Sequence, residues 1–184
     1  MNPEVAYNAF MYALANSLKD LPIVSLQTGE TVAQLAAPLI DSDRLEILAY
    51  RCYNLQHDLT LILMARDIRE LAPDCFIIDS EEELTGTDEV VRLQPILTAN
   101  FTPLEKPVVT DMGRRLGTVE NYTINMDTSR LQKLYVKQSI LKSWRGASLI
   151  IDREQILDVT PKQFVVREAS AEAPLMATGP IREP

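Results

Sequence analysis

Pro161-Lys162-Gln163-Phe164-Val165-Val166 repeats the pattern of Pro73-Asp74-Cys75-Phe76-Ile77-Ile78, which stands 88 positions earlier. Chance apolar matching rarely keeps a proline, a phenylalanine and two β-branched residues in the same order. Working outward, Ile68 precedes Ile156 by the same 88, Leu48 precedes Leu134 by 86, and Val32, Leu35 and Ile40 precede Leu116, Val119 and Ile124 by 84. Pro22-Ile23-Val24 and Pro107-Val108-Val109 open the two copies 85 apart, and a glycine follows each, Gly29 and Gly113. Small loop insertions account for the drift in offset. The chain therefore reads as a duplication, with homologous units over residues 20–78 and 105–168.

Within each copy the local period is that of strands. Tyr122, Ile124 and Met126 alternate with polar neighbours, and Leu134 and Val136 face one way while Lys133, Tyr135 and Lys137 face the other. The apolar runs at 59–64 and 149–151 are short, bounded by polar residues and flanked by β formers, which suits interior strands. Several short strands in so few residues predict a small closed or half-closed barrel, a form that limits exposed sheet edges.

Two segments carry helical signals. Asn2 suits a cap, Pro3 the first helical position and Glu4 the positive end of the dipole, after which Tyr7, Phe10, Met11, Leu14 and Leu18 trace one face. Residues 1–19 are thus expected to form an amphipathic helix that packs on a barrel or on a second protomer. Residues 79–104 read as an acidic connector in which Thr87 and Asp88 start a short helix bearing Val90, Val91, Leu93 and Leu97, kept brief by Pro95. Residues 169–184, rich in Ala, Pro and Gly, are expected to be a flexible tail.

The 184 residues hold 46% apolar and 24% charged side chains, values that support a packed core and exclude wholesale disorder. No run approaches the roughly 18 uncharged apolar residues that cross a bilayer, and the first residues lack a basic region, apolar core and cleavage site. A cytoplasmic location is the expectation. Two cysteines, Cys52 and Cys75, are too few for a disulfide framework and are expected to be reduced.

Pro107-Val108-Val109-Thr110, then Met112-Gly113-Arg114-Arg115-Leu116-Gly117-Thr118-Val119-Glu120, then Ile124 and Leu149-Ile150-Ile151, resemble the PRC-barrel domain. That family includes the cytoplasmic barrel of the photosynthetic reaction-centre H subunit and the carboxy-terminal half of ribosome-maturation factors. Gly-x-x-x-Gly-x-Val carries the likeness. Gly113, like Gly29 in the first copy, is expected at a tight turn, and Gly117 where a side chain would crowd a bending strand. The first copy departs, with Ala33 at the second glycine and Gln34-Leu35 where Thr118-Val119 stand, so less bending is expected there. The resemblance implies a mainly β fold of two tandem PRC-type barrels, and a non-enzymatic adaptor that docks on a protein partner without cofactor or catalytic constellation.

The residues themselves offer little chemistry. His57 is the one imidazole, and beside Asp58 and five residues from Cys52 it has no second histidine to work with. Cys52, His57 and Cys75 match no zinc spacing, and Asp41, Asp43 and the run at 81–83 lack a glycine-centred cation loop. No metal is expected. The segment from Gly113 to Gly117 has arginines where a membrane-helix contact needs small apolar residues, and it matches no phosphate-binding fingerprint.

Charge is the informative feature. Residues 1–100 hold 6 basic and 16 acidic side chains, net −10, whereas residues 101–168 hold 11 and 8, net +3. From 128 to 151 there is no acid, and Arg130, Lys133, Lys137, Lys142 and Arg145 accompany Tyr135 and Trp144. Such a surface suits an acidic protein partner, or RNA phosphates and bases, which would make the chain a ribosome or RNA maturation helper. Equally, lysines on the outward face of a strand are routine. The basic unit is also matched in charge to the acidic one, within the chain or in a second copy.

Overall fold

The computed structural model describes residues 11–54, 59–138 and 148–168. The chain is mainly β. β1 (Tyr12–Leu14) leads into a one-turn helix, α1 (Ala15–Leu18), and then into β2 (Pro22–Ser25), β3 (Thr31–Asp41), β4 (Glu46–Asn54), β5 (Leu59–Met64), β6 (Ile68–Leu71) and β7 (Phe76–Ile78). The connecting segment holds β8 (Leu84–Gly86) and α2 (Gln94–Ala99). β9 (Pro107–Thr110), β10 (Arg115–Asn125), β11 (Arg130–Lys137), β12 (Ser148–Asp152), β13 (Ile156–Val159) and β14 (Phe164–Val166) follow.

The repeat in the sequence is a repeat of strand pairing. β2 lies antiparallel to β3 and parallel to β7, β3 pairs with β4, β4 with β5, and β6 with β7. β9 to β14 make the same five pairings in the same directions. Finer features recur too. The β3–β4 ladder is irregular between Leu35 and Ala37 and between Leu39 and Ile40, and the β10–β11 ladder between Val119 and Asn121 and between Thr123 and Ile124, 84 positions later. Left-handed backbone at Asp20, Gly29 and Leu45 returns at Glu105, Gly113 and Ser129. A 3-10 turn joins β5 to β6 at Ala65–Asp67, and another joins β12 to β13 at Arg153–Gln155. No ladder links β5 to β6 or β12 to β13 among the described residues, so each half is a curled sheet of half-barrel form.

The halves meet strand to strand. The order β13-β14-β9-β10-β11-β4-β3-β2-β7-β6 is a palindrome of corresponding strands, with β11 against β4 at its centre. There the Ile47 amide donates to the Ser129 carbonyl at 2.7 Å, and the Leu131 amide donates to the Leu45 carbonyl at 2.9 Å. Each bond is the other with the copies exchanged. A pseudo-two-fold axis thus runs between β4 and β11, and Glu46 sits opposite Arg130, its own counterpart. A single apolar cluster crosses this axis, joining Ile23, Leu35, Ile47, Phe76 and Ile78 to Val108, Val119, Leu131, Phe164 and Val166. Burying a side chain of that size stabilises by about 1.5–3 kcal/mol, so a shared core ties the halves more firmly than two bridging amides.

Three sequence expectations need correction. The helix foreseen through Leu18 is interrupted, because Tyr12, Ala13 and Leu14 pair with Asn125, Ile124 and Thr123 as strand β1. Ala13 then faces the core while Leu14, placed on the packing stripe, is 42% exposed. Beyond this strand the turn Ala15–Leu18, ending in buried Leu18, is helical again, and Tyr7 and Phe10 lie outside the described residues. Pairing with the open edge of β10 satisfies backbone groups that a lone helix end leaves free, so tertiary context overrides the local period. Second, the counterpart of Leu134 is Tyr50 and not Leu48: Pro38 pairs with Tyr50 as Tyr122 pairs with Leu134. Both candidates obey a period of two, which is why spacing alone slips by one pleat. Third, α2 begins at Gln94, not near Thr87; Pro95 occupies its first turn, where the missing N–H costs nothing, and Asn100 closes it in left-handed conformation.

The two glycines of the second copy act differently. Gly113 has φ +80° with open space around it, so its role is conformational. Gly117 has ordinary backbone, but a Cβ there would collide with the Lys137 carbonyl and touch Val136. Gly113→Ala is expected to cost about 1–2 kcal/mol, and Gly117→Ala about 2–3 kcal/mol, because β10 must move off β11. Urea unfolding of both variants tests this; equal losses would mean that crowding at Gly117 is not what selects glycine.

Candidate functional site

β11 carries the basic residues singled out in the sequence. Its pleat buries Leu134 and Val136 and leaves Lys133 and Lys137 exposed, with Tyr135 half-buried between them. Across the ladder to β12, Lys133, Tyr135 and Lys137 stand opposite Asp152, Ile150 and Ser148. Lys133 Nζ lies 3.3 Å from Asp152 Oδ1, and Arg130 Nη2 lies 3.9 Å from Glu46 Oε2. Of the strand's cations Arg130, Lys133 and Lys137, the first two are thus paired with carboxylates. Exposed pairs of this kind contribute under about 1 kcal/mol each, and they lower the charge the face offers to a polyanion. Lys142, Trp144 and Arg145 lie outside the described residues, as do His57 and the tail from residue 169.

Where the halves join, each leaves a groove beside the dyad. One is a cavity of about 850 Å³ between the β10–β11 turn and β6, bordered by Met126, Ser129, Ala65, Ile68, Glu70 and Leu71. The other, about 400 Å³, lies between the β3–β4 turn and β13, bordered by Ser42, Leu45, Arg153, Ile156, Asp158 and Val159. Those six residues are the counterparts of the first six, in order. The grooves are therefore copies of one site, related by the pseudo-dyad.

Their contents differ. In the smaller groove Arg153 spans the gap, donating from Nη1 to the Leu45 carbonyl at 3.3 Å and from Nη2 to the Arg44 carbonyl. In the larger one that position is Ala65, which has nothing to donate. Met11, Met64 and Met126, with Leu48 and Leu93, supply an apolar wall that the smaller groove lacks. Flexible thioethers of this sort adapt to varied apolar occupants. On the rim Arg69 is held by Asp79 at 2.5 Å and Arg66 by Asp67 at 3.5 Å, whereas Glu70 and Asp127 form no ion pair among the described residues.

Asp41, considered as a cation ligand, has another use. Asp41 Oδ1 accepts the amides of Asp43 at 2.9 Å and Arg44 at 3.3 Å, and Asn125 Oδ1 does the same for Thr128 at 2.9 Å. These side chains shape the two matching turns that border the grooves. Among the described residues no group of three His, Cys, Asp or Glu is placed to hold a metal ion.

No family model and no curated protein matches the chain. Sequence reading located the basic strand but missed the grooves, since their residues come from both copies and form no local motif. The one local signal was the mismatch of Ala65 against Arg153 at corresponding positions of the repeat.

Buried groups set the pH response. Cys52 is fully buried and its thiol is pushed up to about 12 by loss of solvation, so it is a poor nucleophile. Tyr50 and Tyr122, buried on opposite sides of the dyad, are likewise raised above the usual phenol range by burial. In the unfolded chain these groups ionise near pH ~8.5 and ~10, while the folded state retains their protons. Their contribution is complete below about pH 8.5 and is lost as pH rises toward about 12. The urea midpoint is expected to fall steadily above about pH 9, with Cys52→Ala flattening the first part of the fall; a midpoint unchanged to about pH 11 would contradict this.

Proposed function

We propose that the chain is a non-enzymatic scaffold built from two PRC-type barrels, which docks on a protein partner through the larger groove at their junction. The observation that carries this reading is the unequal pair of grooves. A duplication starts with identical sites, and here one is bridged by Arg153 and holds about 400 Å³ while the other, opposite Ala65, holds about 850 Å³ and is walled by methionine and leucine. A wide, half-open, apolar-walled depression with charged rims suits a protein segment better than a small substrate. Of the ionisable groups with strongly raised values, Tyr50 borders the larger groove but Cys52 and Tyr122 do not, so these groups do not converge there, which also favours binding over catalysis. No helix among the described residues is long and apolar enough to cross a membrane.

RNA maturation is the competing reading, and pairing of Lys133 with Asp152 and of Arg130 with Glu46 counts against it. Affinity capture with the full chain from its native cell, followed by mass spectrometry, is expected to recover a protein partner in near-stoichiometric amount and insensitive to nuclease. Titration with single-stranded RNA at low salt is expected to show no saturable binding. Binding that weakens with salt at a slope of about −0.7 per phosphate contact, and disappears on replacing Lys133 and Lys137, would replace the scaffold reading with the RNA one.

A further inference from the structure

The smaller groove shows what its larger counterpart accepts. Arg153 reaches across from the 3-10 turn before β13 and places its guanidinium on the carbonyls of Arg44 and Leu45. Leu45 has φ +51° and Ser129 φ +54°, so the backbone at the corresponding turn has the same left-handed form. The Leu45 and Ser129 carbonyls each accept one amide across the dyad, from Leu131 and Ile47. The acceptor pair is thus reproduced at Thr128 and Ser129, both of which border the larger groove. Only the donor is missing, because Ala65 stands where Arg153 would be.

We infer that the larger groove receives an arginine side chain from an extended segment of the partner, its guanidinium on the Thr128 and Ser129 carbonyls and its flanking apolar residues against Met11, Met64 and Met126. This deepens the scaffold reading and rests on it. Charge agrees with the assignment: Arg66 and Arg69 are neutralised by Asp67 and Asp79, while Glu70 and Asp127 leave the rim acidic. Arginine is favoured over lysine because its planar fork serves two neighbouring carbonyls at once. The first ten residues of the chain contain neither lysine nor arginine, so that segment supplies no such donor.

The test uses the full-length chain, isotope-labelled for NMR, and the peptide acetyl-Ala-Leu-Arg-Leu-Ala-amide, with citrulline replacing arginine in the control. The arginine peptide is expected to shift the amides of Ala65, Thr128 and Ser129, and citrulline to bind at least about tenfold more weakly, as expected for loss of a charge-assisted contact. Ala65→Arg is expected to fill its own groove, raising the melting temperature and weakening the arginine peptide at least about tenfold. Asp127→Asn and Glu70→Gln, both at the exposed rim, should keep the fold and reduce affinity and its salt dependence. Absence of shifts at low-millimolar peptide, equal binding of the citrulline control, or unchanged binding by Ala65→Arg would each overturn the inference. Failure of the arginine site and failure of the scaffold look different. A cellular partner retained equally by wild type and Ala65→Arg keeps the scaffold and removes the arginine site, whereas arginine-specific binding with no captured partner does the reverse.

Discussion

The amides of Ile47 and Leu131, each donated to a carbonyl in the other copy, make one protein of two repeats. Two hydrogen bonds contribute only about 1–3 kcal/mol net, but they fix the register in which the copies face each other, and the apolar cluster beneath them contributes more of the stability. Shifting that register by one residue would turn the buried side chains of β4 or β11 outward. The position on the axis is also informative. In a symmetric pair of identical chains this residue meets its own copy, so either charge would repel itself; Glu46 against Arg130 relieves that repulsion, which two non-identical copies allow.

Symmetry of backbone and divergence of side chains carry different meanings here. The bulges, left-handed positions and 3-10 turns are kept in both copies because each is needed to curl a half-barrel over a shared core. Thr110, whose hydroxyl accepts the Arg114 amide at 3.1 Å, matches Ser25, whose hydroxyl is buried without a partner, so even a polar position is retained after its bond is lost. Side chains facing the dyad are under no such constraint. Arg153 against Ala65 and Leu157 against Arg69 alter size and charge without touching the ladders, and they turn two equivalent grooves into a smaller, arginine-bridged one and a larger one without that bridge.

Much of this is written locally in the chain. Alternation at Lys133 to Lys137 marks the correct inward and outward faces of β11, and the Phe76 and Phe164 segments mark the repeat, because strands buried on one face impose a period of two. What escapes depends on contacts distant in sequence. Tyr12 to Leu14 carry a helical spacing yet complete the edge of β10, and Leu84 to Gly86 follow an acidic run yet pair with β5. The dyad, the common core and the grooves arise between copies, where no window along the chain samples both sides. Leu48 aligns with Leu134 by spacing alone because periodicity fixes the face of a strand and leaves its register open by two residues.

Native-state hydrogen exchange at Ile47 and Leu131 tests the central claim most directly. If the halves share one core across the pseudo-dyad, these two amides exchange only through global unfolding, with the same free energy and denaturant slope as Ile23 and Val108 in the two half-barrels. Faster exchange at Ile47 and Leu131, with a shallow slope and with Ile23 and Val108 still protected, would show that the halves part as independent bodies and would contradict the account.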